Sequence, residues 1–212
     1  MSNFLFFIFR SYYQLLLGFF VKIILMARGS KVGRNFKVDK FPKLILNNSN
    51  LKIGDNVTFY GEVEIRLIAS GSLEILSNCK IDNHVRIIAT NNASVKIDEF
   101  NVIGAGTIIN AGDNITIGQK CLISGYVYLQ SSSHGFKLGE FIRNQVHEYG
   151  PILIEDDVWI GSHSTILKGV TIRNGSIIGA NSVVTNGTYI EQNLIFSGSP
   201  AVFKSNRKKI KD

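Results

Sequence analysis

From Ile53 onward an apolar residue returns at every sixth position. Ile53, Phe59 and Ile65 form one such set. Ile75, Ile81 and Ile87 form the next, then Ile97, Ile103 and Ile109, then Ile117, Ile123 and Leu129. After an interruption the series resumes as Ile154, Ile160, Ile166, Ile172, Ile178, Val184, Ile190 and Phe196. All twenty anchors are apolar and sixteen are Ile. The residue after an anchor is often Gly or acidic, as at Gly54, Asp82, Asp98, Gly104, Gly118, Glu155, Gly161 and Gly179. The fourth residue after it is small or branched, as at Val57, Val63, Cys79, Val85, Thr107, Cys121, Val158, Ser164, Val170, Ser176 and Ser182. A period of six is neither helical nor a plain alternation. It predicts a short strand, a turn, and the same again. Three such units close a triangular coil, and stacked coils bury one another's anchors.

An eighteen-residue coil of this kind, with β-branched anchors, is similar to the left-handed parallel β-helix, an exception to the right-handed crossover rule. The expected fold is therefore all-β, a triangular solenoid of about seven coils with an N-terminal hydrophobic helix. The early coils are longer, with 22 residues from Ile53 to Ile75, 22 from Ile75 to Ile97 and 20 from Ile97 to Ile117. The surplus falls at Ala69-Ser70-Gly71, Asn91-Asn92-Ala93 and Ala111-Gly112-Asp113, which predicts enlarged corners. Val32-Gly33-Arg34-Asn35 is expected to open the first coil. Cys79 and Cys121 occupy the same point of coils two apart. With strands ~4.8 Å apart they stand about 10 Å from each other, beyond disulfide reach. They read as buried free thiols in a reducing compartment.

Composition narrows the class. A chain of 212 residues that is 45% hydrophobic and 18% charged is too apolar to be disordered, and its 2 Cys exclude a disulfide scaffold. The net charge of +7 is unevenly placed. Residues 1–43 carry eight Lys/Arg against one Asp, and residues 204–212 carry five against one. The body between them carries ten Lys/Arg against fourteen Asp/Glu. An acidic body with basic ends argues against nucleic acid and for an anionic membrane surface. Phe4 to Ala27 is an apolar run broken by Arg10 and Lys22, with a poor signal-peptidase site at Met26-Ala27-Arg28. We expect residues 1–30 to be a membrane-associating helix, with Arg10 and Lys22 snorkelling towards head groups. Lys31, Arg34, Lys37, Lys40 and Lys43 would add attraction, so that residues 1–43 meet the membrane surface. A true span and a helix packed on the body are the alternatives. Residues 31–203 are expected to form the β-helix domain and residues 204–212 a basic tail.

After Leu129 the six-residue frame fails. Residues 135–151 form an excursion, beginning beside His134 and ending at Gly150-Pro151, and the only Trp follows in Val158-Trp159-Ile160-Gly161. Loops this long in a compact repeat are usually functional or disordered. A His at the mouth of such a loop, with a Trp one coil on, is the constellation here that looks chemical.

Several runs together resemble the hexapeptide-repeat O-acetyltransferases. They are Ser133-His134-Gly135, Gln145, Gly150-Pro151-Ile152, Asp157 to Gly161, Ile178 to Thr185, and Ser197-Gly198-Ser199-Pro200-Ala201. That family includes galactoside, nodulation-factor, virginiamycin and capsule or lipopolysaccharide acetyltransferases. The resemblance spans roughly residues 31–203. It implies that His134 is the catalytic base and that Trp159 lines the site near the thioester. It places Ser162 and Ala180 along the pantetheine arm of acetyl-CoA and Thr185 near its nucleotide end. It further implies a homotrimer with active sites between subunits and no metal. The sequence departs from the family in three places. Ser131-Ser132-Ser133 replaces the frequent Asp-His before the catalytic His, so the partner orienting His134 is unassigned. Asn186 and Val202 replace basic residues that meet coenzyme A phosphates, for which Lys204, Arg207 or Lys208 are the substitutes.

The expected activity is acetyl-CoA-dependent O-acetylation of a sugar hydroxyl, on a carbohydrate or lipid-linked acceptor, in surface polysaccharide biosynthesis (capsule, O-antigen or exopolysaccharide). The expected place is the cytoplasm, peripherally on the inner face of the membrane. His134 would take the hydroxyl proton, as an imidazole can at neutral pH. A backbone N–H or the Trp159 indole would hold the oxyanion. The alternatives are N-acetylation of an amino sugar and a non-catalytic scaffold. A carbonic anhydrase of this fold needs zinc His pairs five apart, which are absent. His84 and His163 read as structural. His147 and Glu148, in the excursion, read equally as acceptor contacts or solvated loop residues.

Overall fold

A computed structural model describes residues 2–47 and 50–208. Helix α1 (Ser2–Ala27) is followed by a left-handed parallel β-helix whose three long faces are sheets of 8, 9 and 7 strands. The period of six is what builds it. Val32, Ile53, Ile75, Ile97, Ile117, Ile154, Ile172 and Ile190 pair in register down the first sheet, one per coil. Every anchor points inward, and only Phe196 in the last coil is partly exposed. Each small or branched residue four places later is buried as well.

The corners explain the polar half of the pattern. The third residue after an anchor turns the chain in the left-handed region, as at Asn56 (φ 57°), Asn78 (φ 64°), His84 (φ 59°), His163 (φ 60°) and Asn181 (φ 55°). Asn, Asp and His tolerate this conformation better than other side chains. His84 and His163 therefore sit where the coil must bend, and the His163 ring stacks on Tyr126 with centroids 5.0 Å apart. The early coils carry their surplus at one corner, around Ala69-Ser70 and Asn91-Asn92, both pairs left-handed.

Inside the stack Cys79, Asn101 and Cys121 lie in one column, on successive coils. Burial pushes the two thiols up, Cys79 to about 11 and Cys121 to about 12. Asn101 is fully buried and fully bonded. Its Nδ2 donates to the carbonyls of Asp98 and Gly118, each at 2.7 Å, and its Oδ1 accepts from the Cys121 N–H at 2.7 Å. Asn101→Leu keeps the volume but strands that N–H and the Gly118 carbonyl, while the Asp98 carbonyl keeps the Cys79 thiol. At ~1–3 kcal/mol for each buried group left unpaired, the denaturation midpoint should fall clearly. A variant as stable as the parent would show that the column does not depend on the amide.

Both ends of the solenoid are covered. The strand Val202–Asn206 folds back antiparallel on Leu194–Ser197, so residues 204–206 are part of the last coil rather than of a tail. Residues 209–212 of the basic segment lie outside the described residues. At the other end α1 packs Leu17, Val21 and Leu25 against the first coil. The expectation that Arg10 and Lys22 snorkel is overturned. Arg10 pairs with Asp39 at 2.6 Å and Lys22 donates to the Gly33 carbonyl at 2.8 Å, because these groups flank the inward face.

Candidate active site

The chain leaves the third sheet at Ser131, three residues before His134. Ser131 is buried, and its Oγ accepts from the N–H groups of Gly112 and Asp113, each at 3.0 Å, which anchors the exit. Strands Ser132–His134 and His147–Tyr149 then pair antiparallel, so the excursion is a hairpin arm carrying a short 3-10 turn at Ile142–Asn144. His134 thus belongs to the arm, which starts at Ser132 rather than at residue 135. At the far end of the arm the Gln145 amide accepts from the Lys137 N–H and donates to the carbonyls of Lys137 and Glu140, which closes the loop.

Strand alternation divides the arm into two sides. Ser132, His134, His147 and Tyr149 face a cleft of about 660 Å³, lined also by Thr90, Asn91, Asn110, Tyr128 and Gln130. That volume is in the usual range for a small-molecule site. The outward row of the third sheet supplies its floor. Tyr128 Oη donates to Gln130 Oε1 at 2.5 Å, Asn110 Nδ2 donates to the same oxygen at 2.7 Å, and Gln130 Nε2 holds Ser132 Oγ at 2.7 Å. Asn91 Nδ2 reaches the Tyr149 hydroxyl at 3.1 Å, tying the arm to an enlarged corner. His134 lies directly across from His147, with ring centroids 4.2 Å apart, and His147 stacks towards Tyr149 at 6.1 Å.

On the other side Ser133 and Glu148 face a smaller cavity of about 240 Å³ with Phe136, Leu167, Lys168 and Asn186. The nearly buried Lys168 ammonium is bonded to Glu148 and holds that carboxyl below its usual range, chiefly through the hydrogen bond and then through charge. A carboxylate with a lowered pKa contributes its bond fully above the ordinary carboxylate range and loses it as pH falls through the folded value. The arm should therefore loosen in acid. Limited proteolysis between residues 135 and 146 should rise as pH drops below the carboxylate range, and Glu148→Gln should show that sensitivity already at neutral pH. An arm equally resistant in both proteins would refute the pin.

The structure gathers some of the expected site residues and separates others. Ser162 and Ala180 stack on successive coils at one corner, where the Asn181 N–H donates to the Ser162 carbonyl at 2.9 Å. Thr185 lies at the next corner, and Lys204 is exposed on the returning strand. Arg207 is engaged by Asp157 at 2.7 Å, which leaves Lys204 and Lys208 as the freer cations for phosphates. Trp159 faces outward on the second sheet, away from the cleft, and its indole N–H donates to Ser124 Oγ at 3.1 Å. The indole is therefore not a free oxyanion donor, and a backbone N–H is the better candidate. Sequence reasoning missed Tyr128, Gln130, Asn110, Asn91 and Tyr149. They are outward residues of the repeat or of the excursion, and only cross-strand register brings them to His134.

The sequence profile of the bacterial transferase hexapeptide family, described as six repeats, matches residues 151–186. A lipopolysaccharide biosynthesis O-acetyl transferase by name, WbbJ of Escherichia coli K12, is 27% identical over 176 residues, covering 79% of this chain and 78% of its own. The galactoside O-acetyltransferase of the same organism is 40% identical over 87 residues, 41% of each chain. Among solved structures, a serine-to-alanine mutant of the N-acyltransferase AntD of Bacillus cereus, in complex with dTDP-4-amino-4,6-dideoxyglucose and coenzyme A, superposes with a TM-score of 0.59 at 23% identity. It covers 89% of this chain and 90% of its own.

Proposed function

We propose, from the premise that this chain belongs to the hexapeptide-repeat acyltransferases, that it transfers an acetyl group from acetyl-CoA to a sugar hydroxyl during surface polysaccharide synthesis. The observation that carries this reading is the placement of His134. It stands at the mouth of a cleft walled by amides, hydroxyls and the Tyr128 and Tyr149 rings, the groups that bind a sugar by hydrogen bonds and ring stacking.

The donor supplies an acyl group already activated as a thioester. An imidazole nitrogen of His134 takes the proton from the acceptor hydroxyl as its oxygen attacks the thioester carbon. A C–O bond forms, the C–S bond breaks, and the departing thiolate receives the proton back from His134. Asn91, Asn110 and Gln130 orient the acceptor, and the backbone track past Ser162 and Ala180 holds the donor arm. No acyl-enzyme is needed.

The site is shared between subunits of a homotrimer in this reading. His134 and Trp159 lie on different faces of one prism, so a site using both takes them from two chains. Phe136, Leu138, Phe141 and Val146 on the arm are all exposed, an apolar tip that a neighbouring subunit would cover. Residues 1–43 attach the enzyme peripherally to the inner face of the membrane, where acceptors are lipid-linked. Mass spectrometry of surface glycans from cells with and without the protein tests the activity. An acetyl-sized loss removed by mild base marks an O-acetyl ester, a base-stable one marks N-acetylation, and no change would refute the proposal.

A further inference from the structure

We infer that α1 is a foot lying in the plane of an anionic membrane, standing the solenoid upright and holding the His134 cleft about 20 Å beyond the first coil. At that height the cleft meets a sugar several residues out from a lipid carrier rather than the one joined to it. This last clause rests on the acetyl-transfer reading; the foot does not.

From Phe9 to Ala27 the helix carries large apolar side chains on its outer side as well as beside Arg10, Gln14 and Lys22 on its inner one, and such a helix is normally covered on every side. Here only one side is covered. Gln14, Val21 and Leu25 are buried, and Gly18 lies so close to the first coil that a Cβ would come within 2.0 Å of the Phe36 carbonyl oxygen. Arg10 and Gln14 meet Asp39, Gly18 meets Phe36, and Lys22 meets Gly33. The helix therefore runs antiparallel to residues 33–39, across the open end of the solenoid. Its other side faces away along the solenoid axis, with Tyr12, Tyr13, Leu16, Phe19, Phe20 and Ile23 all exposed.

The occupant of this face is set by charge. Both cations within Phe9–Ala27 turn inward, so the exposed side is aromatic and aliphatic, with Tyr12 in the same row as Leu16, Phe19 and Ile23. Arg28, Lys31 and Lys40, at the end of the helix and on the first coil beneath it, are exposed, whereas Lys43 is paired with Glu64. Asp39, the one acid of the first 43 residues, is consumed by Arg10, Gln14 and the Gly61 N–H. An apolar face inside a cationic rim complements anionic head groups over acyl chains. Phe9–Ala27 is long and apolar enough to cross a bilayer. Crossing would pull it off the first coil, exposing Val32, Phe36 and Val38 and leaving Asp39 without its side-chain partners. The cleft lies beside Leu129, four strands beyond Leu44 in the third sheet, which gives the height.

The full chain should float with phosphatidylcholine–phosphatidylglycerol vesicles and bind phosphatidylcholine alone much less. Phe19→Glu with Phe20→Glu should lower binding roughly tenfold or more while the mass by light scattering stays unchanged. Dyes on Phe9→Cys, Leu16→Cys and Ile23→Cys should all be quenched at one shallow depth, since buried Cys79 and Cys121 stay unlabelled. A dye on Lys137→Cys should lie clear of the lipid. No vesicle binding, equal binding to both vesicles, a Leu16 dye at the bilayer centre, an arm dye at the head groups, or a changed oligomer in the Glu variant would each overturn the foot. Acetyl transfer to a soluble sugar is measured in parallel. If the intact chain floats but transfers nothing, the acetyl-transfer reading fails and the foot stands.

Discussion

His134→Ala should lower turnover by about 10²–10⁴, the usual value of general-base assistance, while coenzyme A affinity stays close to that of the parent. The two effects separate because the base is on the hairpin arm and the donor track is on the later coils at Ser162 and Ala180. His134→Asn should fail equally, since an amide can hold the hydroxyl but cannot take its proton. The controls are placed by geometry. His84 and His163 are left-handed corner residues, so Asn replaces either at little cost to the coil. His147→Asn removes the ring facing His134 and should raise the acceptor KM more than it lowers kcat, because His147 packs on the base without accepting from it. The measurement is acetyl transfer by each variant with coenzyme A binding alongside. Near-normal turnover in His134→Ala would move the base elsewhere, with His147 the first group to test.

Mixed trimers should recover activity that neither parent has. If His134 acts in one chain and Trp159 in its neighbour, His134→Ala and Trp159→Ala each inactivate every site of their own trimer. In a random mixture about one site in four pairs an intact His134 with an intact Trp159, by the combinatorics of a heterologous ring. Unfolding and reassembling the two inactive proteins together should therefore restore a substantial fraction of parental turnover. Recovery of nothing, with both variants folded and trimeric, would place the whole site within one chain and remove the reason for Trp159 to take part. A monomer in light scattering would do the same.

Much of this was legible in the sequence because the repeat is local. Each anchor from Ile53 to Phe196 meets the same environment one coil away, so a period of six specifies strand, corner and core together. The left-handed corners, three places after an anchor, were not read from the sequence; Asn and Gly mark several of them, but Phe100 and Tyr126 occupy equivalent positions and carry no such signal. The excursion was visible as a failure of the pattern. Its form was not, because a hairpin of Ser, His, Glu and Tyr has no apolar alternation to announce it. Hence the exit from the coil lies at Ser131, and His134 stands on a strand of the arm.

The amino-acid order by itself determined the solenoid, the alignment of Cys79 with Cys121, and His134 as the residue to watch, since all three follow from spacing along the chain. The tertiary structure alone decided which groups meet across long separations. Arg10 and Asp39 are 29 residues apart, Ser124 and Trp159 are 35 apart, and Asn91 and Tyr149 are 58 apart. Those meetings turned the expected snorkelling Arg10 into a pin, occupied an expected oxyanion donor, and joined the arm to a corner of an earlier coil. Spacing cannot foretell them, because a stacked solenoid brings side chains together by which coil and which face they occupy, and the excursion shifts that register for every residue after it.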